Sequence, residues 1–125
     1  MTQQQKDKLL KYLCMALPYG VKIQYDIHGI QDLTIDKLNA YIKGIKNIKP
    51  YLRPMSSMTE EERKEYHKLC NIDEEYGVGG NPVIIAIHDT PESLDYLNSI
   101  HIDYRGLIDE SNAIEVTEKN NPYKD

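Results

Sequence analysis

The sequence predicts an α+β fold: a single compact domain with three or four helices packed on a small mixed or antiparallel sheet. The chain has 125 residues, a length suited to one hydrophobic core. Its fifteen Ile and eleven Leu supply aliphatic core side chains, which argues against disorder. Some segments repeat apolar residues at helical spacing and others alternate them with polar residues. We expect residues 1–117 to form the domain and residues 118–125 to fray.

The first elements are a helix and a hairpin. Thr2 and Gln5 form a capping-box pattern, and leucines at helical spacing follow it, so a helix over residues 3–16 is predicted. Apolar and polar residues then alternate over residues 21–27, as in a strand with one solvated face. After a turn, residues 30–33 can return as its hairpin partner.

Residues 34–45 are ambiguous between helix and strand. Ile35, Leu38, Ile42 and Ile45 have helical spacing after a possible N-cap at Thr34, which favours a short helix. The Ile content of the segment also suits a strand.

A basic segment over residues 48–54 is predicted to be stiff and extended, because Pro50 and Pro54 fix their own φ angles and restrict the residues before them. We expect this extended segment to display its side chains for contact with a partner. Thr59 and Glu62 then form a second capping-box pattern, which predicts the start of a helix running to about residue 71.

The second half of the chain contains a run of apolar residues, Val83 to Ile87. Such a run is typical of a central strand buried on both faces. Asp89 and Thr90 are placed to cap the following helix. The remaining predicted elements are a turn-rich loop over 73–82, a helix over 91–100, and short extended pieces near 102–104 and 114–116.

Charge is divided unevenly along the chain. Residues 1–58 have nine Lys or Arg and four Asp or Glu, whereas residues 59–125 have six and sixteen. One run of five cations contains no acid: Lys37, Lys43, Lys46, Lys49 and Arg53. This run is the best candidate for contact with an anionic group, or else it is a solvated lysine face. The net charge of −5 and the acidic second half argue against strong nucleic-acid binding.

No catalytic or cofactor signature is recognisable. The glycines at 77, 79 and 80 precede a predicted strand, the reverse of the order in phosphate-binding loops. His88 with Thr90 is half of the paired motif of two-histidine phosphoesterases, but no second half is present. Four scattered histidines are weak evidence for a metal site. A phosphoester or nucleotide hydrolase using His88 is therefore the alternative, and we expect no cofactor and no metal.

The compartment is predicted from the cysteines and from hydropathy. Cys14 and Cys70 lie in predicted helices without close spacing, as expected for reduced, buried thiols. No signal peptide and no apolar run near about 18 residues is recognisable. We expect a cytoplasmic protein that does not associate with membranes.

Three segments resemble a family of small proteins carried by phages and prophages of gut anaerobic bacteria. They are KYLCMALPYGVK at 11–22, KPYLRPMSSMTEEE at 49–62 and DYLNSIHIDYRGLI at 95–108. The resemblance implies a genetic setting and a binding protein for host takeover or counter-defence inside the host cell. It implies no catalytic residue.

The leading hypothesis is a non-enzymatic protein that occupies a host protein or a small anionic ligand. Tyr and Arg are the usual anchors of binding surfaces. The predicted contact residues are Lys46, Lys49, Tyr51, Arg53, Tyr104 and Arg105. Arg105 has a structural alternative, an ion pair with Asp103 or Asp109.

Overall fold

The computed structural model describes residues 2–124, apart from the side chain of Val78. Within this range lie four helices, α1 Gln3–Ala16, α2 Ile35–Ile42, α3 Glu60–Leu69 and α4 Pro91–Ser99. The strands are β1 Lys22–Tyr25, β2 Ile30–Asp32, β3 Ile48–Pro54, β4 Asn71–Tyr76, β5 Pro82–His88, β6 Ile102–Asp103 and β7 Ile114–Glu115. The predicted α+β class is confirmed.

A mixed sheet of five strands forms the body of the domain. β1 pairs antiparallel with β2 and with β3, and β3 pairs in parallel with β6 and β7. In these pairings, Ile23 of β1 lies opposite Pro50 of β3, and Ile102 of β6 lies opposite Arg53 of β3. β3 is therefore the strand that joins all parts of the sheet.

Two hydrophobic clusters hold the helices to the sheet. The larger joins α1 to β1 and β3, and its fully buried members include Leu9, Leu13, Val21, Ile23 and Leu52. The smaller lies between α3, α4 and β6, and consists of Met58, Tyr66, Leu97 and Ile102. Burial of a large aliphatic side chain stabilises the fold by about 1.5–3 kcal/mol. The two clusters fix α1, α3 and α4 on the body.

The helix starts agree with the predicted caps. The hydroxyl oxygens of Thr2, Thr34, Thr59 and Thr90 each accept a hydrogen bond from the backbone N–H three residues on. Each satisfies one of the free donors at a helix N-terminus. Residues 35–42 are helical, so the helix alternative for 34–45 is confirmed.

The side chains of α2 are placed differently from the prediction. Leu38 is buried, but Ile35, Ile42 and Ile45 are exposed. Ile45 lies beyond the end of α2, after Gly44 with a φ angle of 74°, so it does not continue the helical stripe of Ile35, Leu38 and Ile42. Cys14 is likewise exposed on α1, and Cys70 is half-buried, so the prediction of two buried thiols is wrong for Cys14.

Strand β1 is shorter than the predicted strand over 21–27. Asp26 has a φ angle of 51°, in the left-handed region where Asp is tolerated better than most residues. The chain turns there, and Ile27 is exposed. The predicted hairpin with residues 30–33 is present as β1 and β2.

The described part of the C-terminal segment contacts the body of the domain through Tyr123. The Tyr123 hydroxyl accepts a hydrogen bond from Lys22 N at 2.9 Å and donates one to Tyr51 O at 2.8 Å. Its ring stacks on His101 with the centroids 4.0 Å apart. One aromatic side chain therefore links the segment to β1 and β3, and fraying of 118–125 stays a prediction.

The largest difference concerns residues 71–88. The segment predicted as a loop, 73–82, contains most of β4. β4 pairs antiparallel with β5 in a separate two-stranded sheet. The apolar run Val83 to Ile87 belongs to this hairpin, and all of it is exposed except half-buried Ala86. The prediction of a central strand buried on both faces is wrong. β3 occupies the centre of the sheet instead.

Candidate functional site

Tyr51, one of the two proposed anchors in the segment 48–54, lies inside the domain. Only 7% of Tyr51 is exposed, and its hydroxyl lies 3.4 Å from Gln24 Oε1. Pro50 and Leu52 beside it are also buried. Proline is rare in central strands, so its presence favoured a surface position. The segment is extended as predicted, but it is not an exposed strip, because most of its side chains are buried in the domain.

Arg53 is engaged in a structural ion pair. Its guanidinium donates to both carboxylate oxygens of Glu62, at 2.7 and 2.9 Å, and to Ser57 O at 3.0 Å. The hydrogen bonds from Arg53, assisted by those at Thr59, lower the pKa of Glu62 to about 2 despite its partial burial. Arg53 therefore connects the end of β3 to the start of α3.

Lys46 and Lys49 stay near the surface. The Lys46 Nζ atom lies 3.0 Å from His28 Nε2 and 4.0 Å from Asp26 Oδ2. Lys46 also lines a cleft of about 400 Å³ between α1 and α2, together with Lys6, Asp7 and Tyr41. Because carboxylates accompany the lysines, the region is electrostatically mixed and favours anions weakly.

Tyr104 and Arg105 are both half-buried. Tyr104 packs against the smaller hydrophobic cluster, and Arg105 contacts α1. The Arg105 guanidinium lies over the Tyr104 ring, 5.3 Å from its centroid, and Arg105 Nη2 is 3.1 Å from Met15 Sδ. Asp103 accepts hydrogen bonds from the backbone N–H groups of Arg105, Leu107 and Ile108. Asp103 thus orders the loop through its backbone, instead of pairing with the Arg105 guanidinium.

The six predicted contact residues do not form one surface. Tyr51 is in the core and Arg53 is paired. Lys49 and Arg53 are four residues apart on β3, about 13 Å at the usual rise of a strand. Tyr104 and Arg105 lie in the loop after β6, where Tyr104 packs against the smaller hydrophobic cluster and Arg105 contacts α1.

His88 lies on the open surface of the hairpin. Its Nε2 atom is 2.8 Å from Asp73 Oδ2, and both side chains are more than half exposed. Asp89 accepts hydrogen bonds from the Tyr66 hydroxyl at 2.6 Å and from Ser93 Oγ at 3.0 Å. Burial and the bond to Asp89 raise the pKa of Tyr66. Thr90 caps α4 as predicted, and no group of metal-ligating side chains occurs within residues 2–124.

The feature that sequence reasoning missed is one face of the β4–β5 hairpin. Directly paired residues in an antiparallel ladder share a face, and successive residues alternate. The register pairs Ile72 with Ile87, Glu74 with Ile84 and Tyr76 with Pro82. These six residues therefore share a face, which we call the apolar face. All six are exposed.

A β-bulge produces this alignment. The pairs Asp73–Ala86 and Glu74–Ile84 leave Ile85 as an extra residue of β5. Without the extra residue, simple alternation would put Ile84 and Ile87 on opposite faces. The bulge brings both to the apolar face, since it shifts the alternation by one. Val83, Ala86, Asp73 and Glu75 occupy the reverse face, where His88 contacts Asp73.

The only sequence signal for this face was the uncharged run of β5, which was interpreted as core. The turn residues within 73–82, by contrast, predicted a loop over the segment that contains most of β4. β4 adopts strand geometry through its pairing with β5.

Comparison of the chain with protein-family models, with curated proteins and with solved structures gave no match. No helix within residues 2–124 has the length and apolar content needed to cross a bilayer.

Proposed function

We propose that the chain is a small non-enzymatic binding protein that captures a host protein on the apolar face of the β4–β5 hairpin. The observation that carries this proposal is the exposure of Ile72, Tyr76, Ile84 and Ile87 together on one face. Contiguous apolar patches on a monomer usually mark interaction surfaces. The body of the domain has its own core, so the hairpin is not needed to complete it.

The energetics of the hairpin support the same proposal. An isolated two-stranded hairpin is marginally stable in water and gains stability when a partner covers a hydrophobic face. Covering a large aliphatic side chain stabilises a complex by about 1.5–3 kcal/mol before the costs of association. Tyr76 is 82% exposed near the hairpin tip, and tyrosine is a frequent anchor at interfaces.

The proposed setting is the cytoplasm of a bacterium infected by a phage. It is supported by the resemblance of residues 11–22, 49–62 and 95–108 to small phage-borne proteins. A factor for host takeover or counter-defence can act by occupying a host protein, and it then needs a surface but no active site.

The experiment compares two neighbouring residues on opposite faces. Ile84 and Val83 are 55% and 53% exposed, and both are β-branched residues of β5. Tagged wild type, Ile84→Ser and Val83→Ser are used for pull-down from host lysate, with mass spectrometry of captured proteins and circular dichroism of each variant.

The proposal requires that a protein captured by wild type be lost with Ile84→Ser and kept with Val83→Ser, while both variants stay folded. Equal capture by wild type and Ile84→Ser would contradict it, and so would a nucleotide or phosphodiester hydrolase activity lost in His88→Ala.

A further inference from the structure

The hairpin lies in a stretch of the chain that has no lysine or arginine. From Leu69 to Tyr104 there is no Lys or Arg, whereas there are seven Asp or Glu. Three of these carboxylates are consecutive on β4: Asp73, Glu74 and Glu75. Asp73 contacts His88. Glu74 and Glu75 have no ion-pair partner within residues 2–124, so the hairpin presents uncompensated negative charge.

Glu74 has a special position within this group. Its register partner is Ile84, and it lies between Ile72 and Tyr76 on the apolar face. A neutral apolar partner that covered this face would desolvate the Glu74 carboxylate without compensating it, which is costly. A second copy of the chain would bring another Glu74 to the same interface. A partner that places Lys or Arg against Glu74 avoids both costs.

The size of the face limits what it can bind. Its four large apolar side chains expose roughly 400–500 Å², if a fully exposed large side chain has about 200 Å². That is about half of one partner's share of a standard protein interface, roughly 800 Å². The face therefore suits a single segment, such as one amphipathic helix.

Building on the proposed function, we infer that the apolar face binds a cationic amphipathic segment of the partner protein. Apolar side chains of that segment cover Ile84, Ile87 and Ile72, and its Lys or Arg side chains pair with Glu74 at the centre. Basic residues that flank this segment are attracted by the carboxylates around the hairpin. The interaction weakens with salt, since the flanking charges stay exposed in the complex and are screened.

The probes are two fluorescent helical peptides with Leu at positions i, i+3, i+4 and i+7, one with Lys and one with Glu at the remaining positions. Binding to the full chain is measured by anisotropy at several salt concentrations. Ile84→Ser is paired with Val83→Ser as its control. Glu74→Gln is paired with Glu61→Gln, which removes an exposed carboxylate of α3 at the same cost in net charge.

The Lys peptide should bind the wild type, and the Glu peptide should not. Ile84→Ser should weaken binding by about tenfold, as loss of an interface anchor does. Glu74→Gln should weaken it by about three- to fivefold and reduce its salt dependence. Val83→Ser and Glu61→Gln should leave the affinity nearly unchanged.

An equal loss of affinity for the Lys peptide in Glu74→Gln and Glu61→Gln would show that the peptide responds to net charge alone. That result would overturn the inference. So would binding of the Glu peptide, or a concentration-dependent dimer in light scattering that Ile84→Ser abolishes. If capture from lysate depends on Ile84 but is insensitive to Glu74→Gln, the proposed function stands and this inference fails.

Discussion

One carboxylate oxygen of Glu62 accepts hydrogen bonds from two different parts of the fold. Glu62 Oε1 lies 2.7 Å from Arg53 Nη2, at the end of β3, and 2.9 Å from Thr59 N, at the start of α3. The Thr59 hydroxyl in turn accepts from Glu62 N at 3.1 Å. A local capping box and a long-range ion pair therefore share one side chain.

This pair makes stability depend on acidic pH. The pKa of Glu62 is lowered to about 2, with the Arg53 hydrogen bonds as the largest cause, against about 4.3 in an unfolded chain. Its stabilisation is complete above about pH 4.3 and is lost as the pH falls towards 2. Glu62→Gln should lower the free energy of unfolding by about 1 kcal/mol at neutral pH. Between about pH 4.3 and 2 the variant should then lose less stability than wild type, because the titrating carboxylate is gone. Urea denaturation at several pH values measures this, with Glu61→Gln as control; parallel profiles for Glu62→Gln and wild type would contradict it.

Thr59→Ala should destabilise the domain by roughly 0.5–2 kcal/mol, because its hydroxyl satisfies a free backbone donor of α3. Thr59→Ser keeps the hydroxyl and should retain most of the stability. Denaturation midpoints of the two variants at equal m-value provide the measurement. An unchanged midpoint in Thr59→Ala would show that the cap contributes nothing.

Tyr51→Ala should destabilise the domain by about 3–5 kcal/mol, as other truncations of large buried rings do. The matched variant is Tyr76→Ala, which removes a ring that is 82% exposed and should change stability by at most about 0.5 kcal/mol. Thermal melting separates the two. A melting temperature of Tyr51→Ala equal to that of wild type would contradict the burial of Tyr51 and would favour a surface contact.

His101 should produce a second pH window. Burial, with a smaller contribution from Arg53, lowers the pKa of His101 to about 4, from about 6.5 in an unfolded chain. The folded state therefore favours the neutral ring, and its contribution, complete above about pH 6.5, is lost as the pH falls towards 4.

His101→Asn tests this window, because its φ angle of 62° lies in a region that Asn tolerates. The variant also loses the stacking on Tyr123. The quantity compared is therefore the slope of the free energy of unfolding against pH, and not its absolute value. Its free energy of unfolding should change less between about pH 6.5 and 4.5 than that of wild type. An equally steep wild-type and variant profile would count against a neutral His101.

The sequence predicted elements whose signals lie within a few residues. The capping boxes at Thr2 and Thr59 are examples, and so is the extended geometry imposed by Pro50 and Pro54. The candidate site was predicted less well, because solvent access to a side chain depends on elements far away in the chain. Tyr51 is predicted to lie on the surface, but it belongs to the central strand β3 and its side chain is buried.

By itself, the sequence determined where helices begin, that residues 48–54 are extended, and that the second half is acidic. Only the tertiary structure decided which extended segment occupies the centre of the sheet. An apolar run such as Val83 to Ile87 indicates that a strand is stabilised by burial. It does not indicate whether the burying surface belongs to the same chain or to a partner. In this protein β3 takes the central place by pairing with β1, β6 and β7. The β-bulge at Ile85 brings Ile84 and Ile87 to the same face as Ile72 and Tyr76, and the body of the domain leaves that face in solvent.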